Sequence, residues 1–179
     1  MADDAAKKVA PAFVADGVHL LRTAQQIQYQ LSQMADQKAN MLLAASFVIF
    51  TVTISQAKNG IPPLPLVILA AAAFGAAFFA VLAVLPSAKT PPRAGGPANI
   101  LFFGSFTQMP EDEFVAMLLD ITTNHRQVFE TFAHDMYQNG KVLAFKKYRF
   151  LGFGYRILLA GLVGSFLAFV IPYAMALKL

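Results

Sequence analysis

The sequence predicts an all-α integral membrane protein, with three transmembrane helices and a helical cytoplasmic bundle, on three observations. Of its 179 residues, 57% are hydrophobic and only 13% charged, with a mean hydropathy of +0.55, a balance too apolar for most water-exposed domains of this length. Three stretches approach or exceed the roughly 20 apolar residues that a bilayer-spanning helix needs. The polar remainder repeats its apolar residues at helical spacing and not in strand-like alternation.

Residues 1–40 form the N-terminal segment. From it into the first apolar run, Leu20, Ala24, Ile27, Leu31, Met34, Lys38, Met41, Ala45 and Val48 alternate at spacings of four and three, the heptad seam of a packed helix. Uncharged polar residues such as Gln25, Gln26, Gln28, Gln30 and Gln33 lie between them. The seam continues into the first apolar run, so one long helix from about Asp16 to Ala57 is predicted, with Asp16 as its N-cap. Its second half, residues 41–57, is the first span, short but sufficient. The hydroxyls of Ser46, Thr51, Thr53 and Ser55 can bond back to helix carbonyls, and a conducting path lined by these four is one way the spans could leak.

The second span, residues 61–86, carries no charge, and its Pro62, Pro63 and Pro65 sit at the entry, where proline disturbs a helix least. The third, residues 157–177, is interrupted only by Pro172 near its end. Ala71 with Gly75, and Gly161 with Ser165, are small-xxx-small pairs of the kind that lets helices approach closely in lipid.

Residues 87–156 form the connector and helices between the second and third spans. "PSAKTPPRAGGPAN" has four prolines and two glycines in fourteen positions and predicts an extended connector. "ILFFGSF" is a compact apolar knot around Gly104. Pro110 followed by Glu111, Asp112 and Glu113 is a helix start, with acids at the positive end of the helix dipole. Phe114, Met117, Leu118 and Ile121 continue it, and after a break at Thr122-Thr123-Asn124 the pattern resumes at His125, Val128, Phe129, Phe132 and Met136. A kink is expected at Asn139-Gly140 before "KVLAFKKYRF" leads through a basic collar into the third span.

Basic residues orient the chain. Lys7, Lys8, Arg22 and Lys38 precede the first span, and Lys89, Arg93, Arg126, Lys141, Lys146, Lys147, Arg149 and Arg156 lie between the second and third, whereas the opposite side holds only Lys58 and Lys178. Short loops rich in Lys and Arg stay inside. The expectation is therefore a membrane protein with its N-terminal segment and residues 87–156 cytoplasmic, and the Lys58-Asn59-Gly60 turn and C-terminus outside. No cleaved leader is expected, because the first apolar run begins only at residue 41.

Chemistry-bearing motifs are few. The chain has no Cys, which excludes disulfides, thiolate metal sites and Cys nucleophiles. His19, His125 and His134 have no metal-ligand spacing, and no phosphate-binding loop or nucleophile elbow occurs, so no catalytic residue, metal or cofactor is predicted. A lipid-directed enzyme would need a polar cluster near the interface, for which Asp36, His125 and His134 are the only candidates. No span carries an ionisable residue in its middle, which argues against a proton relay.

"ADQKANMLL" at the mouth of the first span, "NILFFGSF" in the middle segment, and the later helix from Gln127 through Lys147-Tyr148 into the last span resemble the transmembrane effector family of bacterial Pycsar antiphage systems. The matched order covers roughly residues 25–170. The resemblance implies a non-enzymatic effector that senses a cyclic pyrimidine mononucleotide, cyclic CMP or cyclic UMP, made by a nucleotide cyclase that is a functional partner. The activated effector would impair the inner membrane and arrest growth.

The family supplies no ligand motif that maps onto these residues, so the candidate site is argued from chemistry. A cyclic phosphate needs a cation or helix-start amides, and a pyrimidine needs an aromatic face. Phe102, Phe103, Gly104 and Ser105 beside Arg126, Lys146 and Lys147 could supply both; the plainer role for Phe102 and Phe103 is packing between helices, and for the bases, retention on the inner side. Asp36, Lys38 and Asn40 at the mouth of the first span are candidates for coupling and assembly: in a structural reading Asp36 and Lys38 pair with partners on the basic collar or the acidic helix start and Lys38 snorkels toward phosphate head groups, and in a functional reading Lys38 lies near Asp36 or Asp135 at rest and is re-paired when subunits rearrange. The partners expected are the lipid bilayer and other copies of the chain, with no nucleic acid. The competing reading is a membrane scaffold, or an effector activated by a protein, with no nucleotide ligand.

Overall fold

Six α-helices and one π-helical segment follow one another along the residues described by the computed structural model, which are 16–57, 60–86 and 99–176. Most of the Pro-Gly connector and the Lys58-Asn59 part of the turn lie outside them. Among the described residues there is no strand, and three helices are long and apolar enough to cross a membrane. The protein is an all-α membrane protein.

Helix α1 (Gly17–Ala57) begins where the Asp16 carbonyl accepts the Leu20 N–H at 3.0 Å, and it crosses from polar to apolar sequence without a break. After Gly17 it contains no Gly and no Pro, and Ala, Leu, Gln and Met favour the helix throughout. Helix α2 (Leu64–Val84) starts after Pro63, whose extended backbone (φ −60°, ψ 145°) makes it the N-cap, with Pro65 in the first turn, where a missing N–H is harmless.

The middle segment supplies α3 (Phe103–Phe106), α4 (Glu111–Thr123) and α5 (His125–Val142). Pro110 is the N-cap of α4, and Asn124 separates α4 from α5. Its side-chain oxygen accepts the Arg126 N–H at 2.9 Å and its carbonyl accepts the Val128 N–H at 3.1 Å, so it starts the next helix as it ends the last. Helix α5 continues through Asn139-Gly140, where a kink was expected. The departure comes three residues later, where Leu143–Tyr148 form a π-helix that leads directly into α6 (Arg149–Ala176). Pro172 is accommodated inside α6.

The chain divides into two compact units. One comprises Met1–Ile27 and Lys89–Tyr137 and contains α3 and α4; the other, the spanning unit, comprises Gln28–Ala88 and Gln138–Leu179. In the spanning unit α2 and α6 pack antiparallel along facing small residues. A Cβ at Gly161 would overlap that of Ala72, one at Gly154 would lie 2.7 Å from Leu42 Cδ2 and 3.1 Å from the Ala76 carbonyl, and one at Gly75 would lie 3.2 Å from Ile157. Of the anticipated small-residue pairs, Gly75 and Gly161 are at the contact, while Ala71 is exposed and Ala72, Ala76 and Ala80 form the α2 stripe. Ala39 and Leu42 of α1 join Ala76, Ala80, Ala83 and Leu151 in the core.

The stripe of α1 that packs within the chain is therefore not the predicted heptad seam. Ala35, Ala39, Leu42 and Ser46 are buried, whereas Leu20, Ile27, Leu31, Met34, Met41 and Val48 are exposed, from 37% at Leu31 to 70% at Leu20. The four hydroxyls proposed to line one path also separate. Ser46 and Thr53, two turns apart, share one face of α1, while Thr51 and Ser55 share the opposite one. Thr51 and Thr53 donate back to the carbonyls of Phe47 and Ile49 at 3.0 and 2.8 Å. Ser46 Oγ is buried with no hydrogen-bond partner.

Candidate functional site

The π-helical segment gathers a cluster of polar contacts within the spanning unit. A π turn carries one residue more than an α turn in the same rise, so consecutive side chains fan toward neighbours that an α-helix would miss. Lys146 Nζ donates to the carbonyl of Leu85 at 2.5 Å, placing a cation on the negative end of α2. Lys147 Nζ reaches across to α1, donating to both carboxylate oxygens of Asp36 at 2.7 Å and to Ser32 Oγ at 2.8 Å. Tyr148 and, one helical stretch on, Tyr155 donate their hydroxyls to the α1 carbonyls of Leu31 and Lys38 at 3.3 and 3.1 Å. These contacts tie α1 to the start of α6 in parallel, at the level where α1 passes from polar to apolar sequence.

Asp36 thus pairs with the basic collar through Lys147, as its position suggested. Lys38 does not share that carboxylate; its ammonium lies 5.9 Å from the centre of the Tyr148 ring, a cation–π contact on an exposed surface. Asn40 is exposed.

In the other unit the "NILFFGSF" stretch forms a built turn. Asn99 Oδ1 accepts the Leu101 N–H at 3.0 Å, an Asx-turn, and the Asn99 carbonyl accepts the Phe102 N–H at 3.1 Å. Phe102 then caps α3, its ring lying against Gly104 so closely that any Cβ there would collide with it, and 4.9 Å from the Phe103 ring. Gly104 and Ser105 are buried and Phe103 is 57% exposed. Behind this turn, Asp135 of α5 is 6% exposed and accepts Asn99 Nδ2 at 3.0 Å and Gln25 Nε2 at 3.1 Å. A buried carboxylate held by two side-chain amides fixes α1, the turn and α5 together within this unit.

The candidate ligand residues are divided between the units, with Phe102, Phe103, Gly104, Ser105 and Arg126 in one and Lys146 and Lys147 in the other. Each of the three cations has a protein partner: Arg126 Nε donates to Glu130 one turn on at 2.7 Å, both side chains more than half exposed. The Glu130 hydrogen bond, and after it the Glu130 charge, raise the Arg126 pKa, so Arg126 stays cationic at any physiological pH. Sequence reasoning did not assemble Asp135, Asn99 and Gln25. The available signal was an acid on the apolar face of α5, flanked by Phe132 and Met136. Among the described residues no cluster of His, Cys, Asp and Glu could hold a metal.

Comparison with known proteins bears on this arrangement directly. The family profile described as the Pycsar effector protein domain matches residues 19–174, nearly the whole chain. The chain belongs to this family. It is a Pycsar transmembrane effector of antiphage defence. No curated protein and no solved structure matches it. The matched span takes in every residue of both polar centres, from Gln25 and Asp36 to Asp135 and Lys147, so these belong to the effector domain itself.

Proposed function

We propose that this Pycsar effector is a ligand-gated membrane-disrupting switch, turned on by cyclic CMP or cyclic UMP from a partner cyclase. The N-terminal segment and residues 87–156 face the cytoplasm, where the nucleotide is produced, and the C-terminus lies outside. The observation that carries the reading is the Lys147–Asp36 contact, a cation and an acid held together where α1 passes from polar to apolar sequence. Such a contact holds one arrangement of the helices and releases another when it is re-paired.

The mechanism is a population shift. A resting assembly is held by contacts of this kind, and a ligand that binds a second arrangement better moves the equilibrium toward copies whose spans no longer seal the bilayer. A cyclic phosphate competes for Arg126, Lys146 or Lys147, each engaged at rest by a protein group that an anion can replace. Arg126 is the most available, because its partner is an exposed Glu at helical spacing, a type of pair that contributes little. Phe103, exposed beside a buried turn, offers a face for the pyrimidine. No bond is made or broken in the ligand.

Calorimetry of the protein in nanodiscs, against a panel of cyclic mono- and oligonucleotides, tests this. Saturable binding of one pyrimidine cyclic mononucleotide, weakened in Arg126→Ala and Lys147→Ala, is the expected result. Absence of binding across the panel overturns the nucleotide trigger and moves the effector to activation by a protein.

A further inference from the structure

We infer that the exposed stripe of α1 is the docking surface for a second copy of this chain, laid parallel to the first. Helix α1 carries two stripes, each with four-three spacing, one residue apart. Ser32, Ala35, Ala39, Leu42 and Ser46 face the chain's own helices; Leu31, Met34, Met41 and Val48 do not. A step of one residue turns about 100° around the helix, so a helix using one stripe inside its own chain has the other free for a neighbour.

Lipid alone does not explain this stripe. Its start, Leu31 and Met34, is set among Gln28, Gln30 and Gln33, in sequence too polar for a bilayer, yet the two are 37% and 46% exposed there. Large apolar residues in that setting call for a protein partner. The phase does not slip as the stripe enters the apolar half, which a lipid-facing surface has no reason to preserve.

A second copy is the partner that fits. Membrane insertion gives every copy the same orientation and depth, so a parallel neighbour presents the same residues at the same height. The positions flanking the seam on its outer side, Gln30, Gln37 and Ala44, are uncharged, so two copies meet without like charges opposed. The one charge on the seam, Lys38, is drawn toward the chain's own Tyr148 ring. A polar residue at a single core position of a coiled coil sets register and copy number at some cost in stability.

The size of the contact fits a reversible association. From Leu31 to Val48 the stripe is about 26 Å long and about 10 Å wide, or roughly 260 Å² on each copy. The total of roughly 500 Å² is below the ~1,200 Å² of a lasting interface. This contact deepens the proposal of a switchable assembly, and its test is independent of the nucleotide.

The natural sequence has no Cys, so single-cysteine variants report one position at a time. Leu31→Cys, Met34→Cys and Met41→Cys are compared with Gln33→Cys and Asn40→Cys, which are also exposed but point away from the seam. Each full-length variant is oxidised in native membranes, without nucleotide and with cyclic CMP or cyclic UMP added. Disulfide-linked dimers several-fold more abundant at the seam positions, in either condition, are expected. A yield that is flat along the helix in both conditions, or highest at Gln33 and Asn40, overturns the inference. Nucleotide binding is read separately by calorimetry, so failure of the trigger and failure of the seam are distinguishable.

Discussion

Around Gly161 the spanning unit offers its neighbours only surface: hydrogen where any other residue has a side chain, facing Ala72 and the backbone near Ile68. Around Asp135 the α3–α4 unit offers directed chemistry, a buried carboxylate met by the amides of Asn99 and Gln25. The difference follows from the two solvents. In lipid, apolar burial between helices gains little, because tails are as apolar as leucine, so close approach of small residues supplies the attraction. Next to water, apolar burial is already favourable, and buried polar groups serve to fix which arrangement forms, provided every group is satisfied.

The largest effect is expected from breaking the first kind of contact. Gly161→Leu forces α2 and α6 apart where even a Cβ would overlap that of Ala72, and overpacking of this kind costs about 3 kcal/mol or more when backbone must move. Gly152→Ala on the same helix meets nothing within 4 Å, and should be neutral or slightly stabilising, since alanine favours a helix over glycine by up to about 1 kcal/mol. Equilibrium unfolding in mixed micelles reads both, and equal behaviour of the two variants would remove the packing account.

Breaking the second kind comes next. Asp135→Leu strands two amide donors, each costing about 1–3 kcal/mol when buried without an acceptor, so a total near 3 kcal/mol is expected. Asn99→Ala should cost less alone and little more on top of Asp135→Leu, because the two residues act through one network. Limited proteolysis within α4 and α5 measures this; additive losses would show that Asn99 and Asp135 work separately.

The Lys147–Asp36 contact lies between these two in character and should behave differently from both. It is charged, yet the Asp36 side chain is 43% exposed, so Asp36→Asn should change stability by less than about 1 kcal/mol. Its consequence belongs to the switch. A change of that size moves a two-state balance about fivefold, so ion leak in liposomes should begin at a lower nucleotide concentration. Leak that begins at the wild-type concentration would separate this ion pair from gating.

The same contrast explains what could be read in the sequence. Helix α1 was legible almost to its ends, because it lacks Gly and Pro after Gly17, and the break at Asn124 was legible from the interruption of the apolar repeat at Thr122-Thr123-Asn124. The packing stripe of α1 was not, because hydrophobicity picks out Leu, Ile and Met, whereas membrane helices pack through Ala, Ser and Gly. The π segment left no mark: Leu143-Ala144-Phe145 is ordinary helix sequence, and Asn139-Gly140 drew the kink three residues early. Asp36 could be assigned to the basic collar but not to Lys147, since the pair closes over a hundred residues of chain and only tertiary packing selects among the lysines. The Asp135 network was hidden for the same reason, with its three members on three separate segments.

Lys38 gives the smallest expected change in stability and the sharpest one in assembly. An exposed cation–π contact contributes about 0.5–1 kcal/mol, so replacing Lys38 by Met should leave insertion and unfolding nearly unchanged. What it removes is the one charge on the seam. If copies meet along that stripe, an all-apolar seam should associate more strongly and in less strict register, seen as higher dimer yield from Leu31→Cys with crosslinking spreading to Leu21→Cys or Gln37→Cys. If instead Lys38 serves only to hold its Tyr148 ring, Lys38→Met should leave the crosslinking pattern and toxicity as they were. In that outcome the coupling role falls to Asp36 and Lys147 alone.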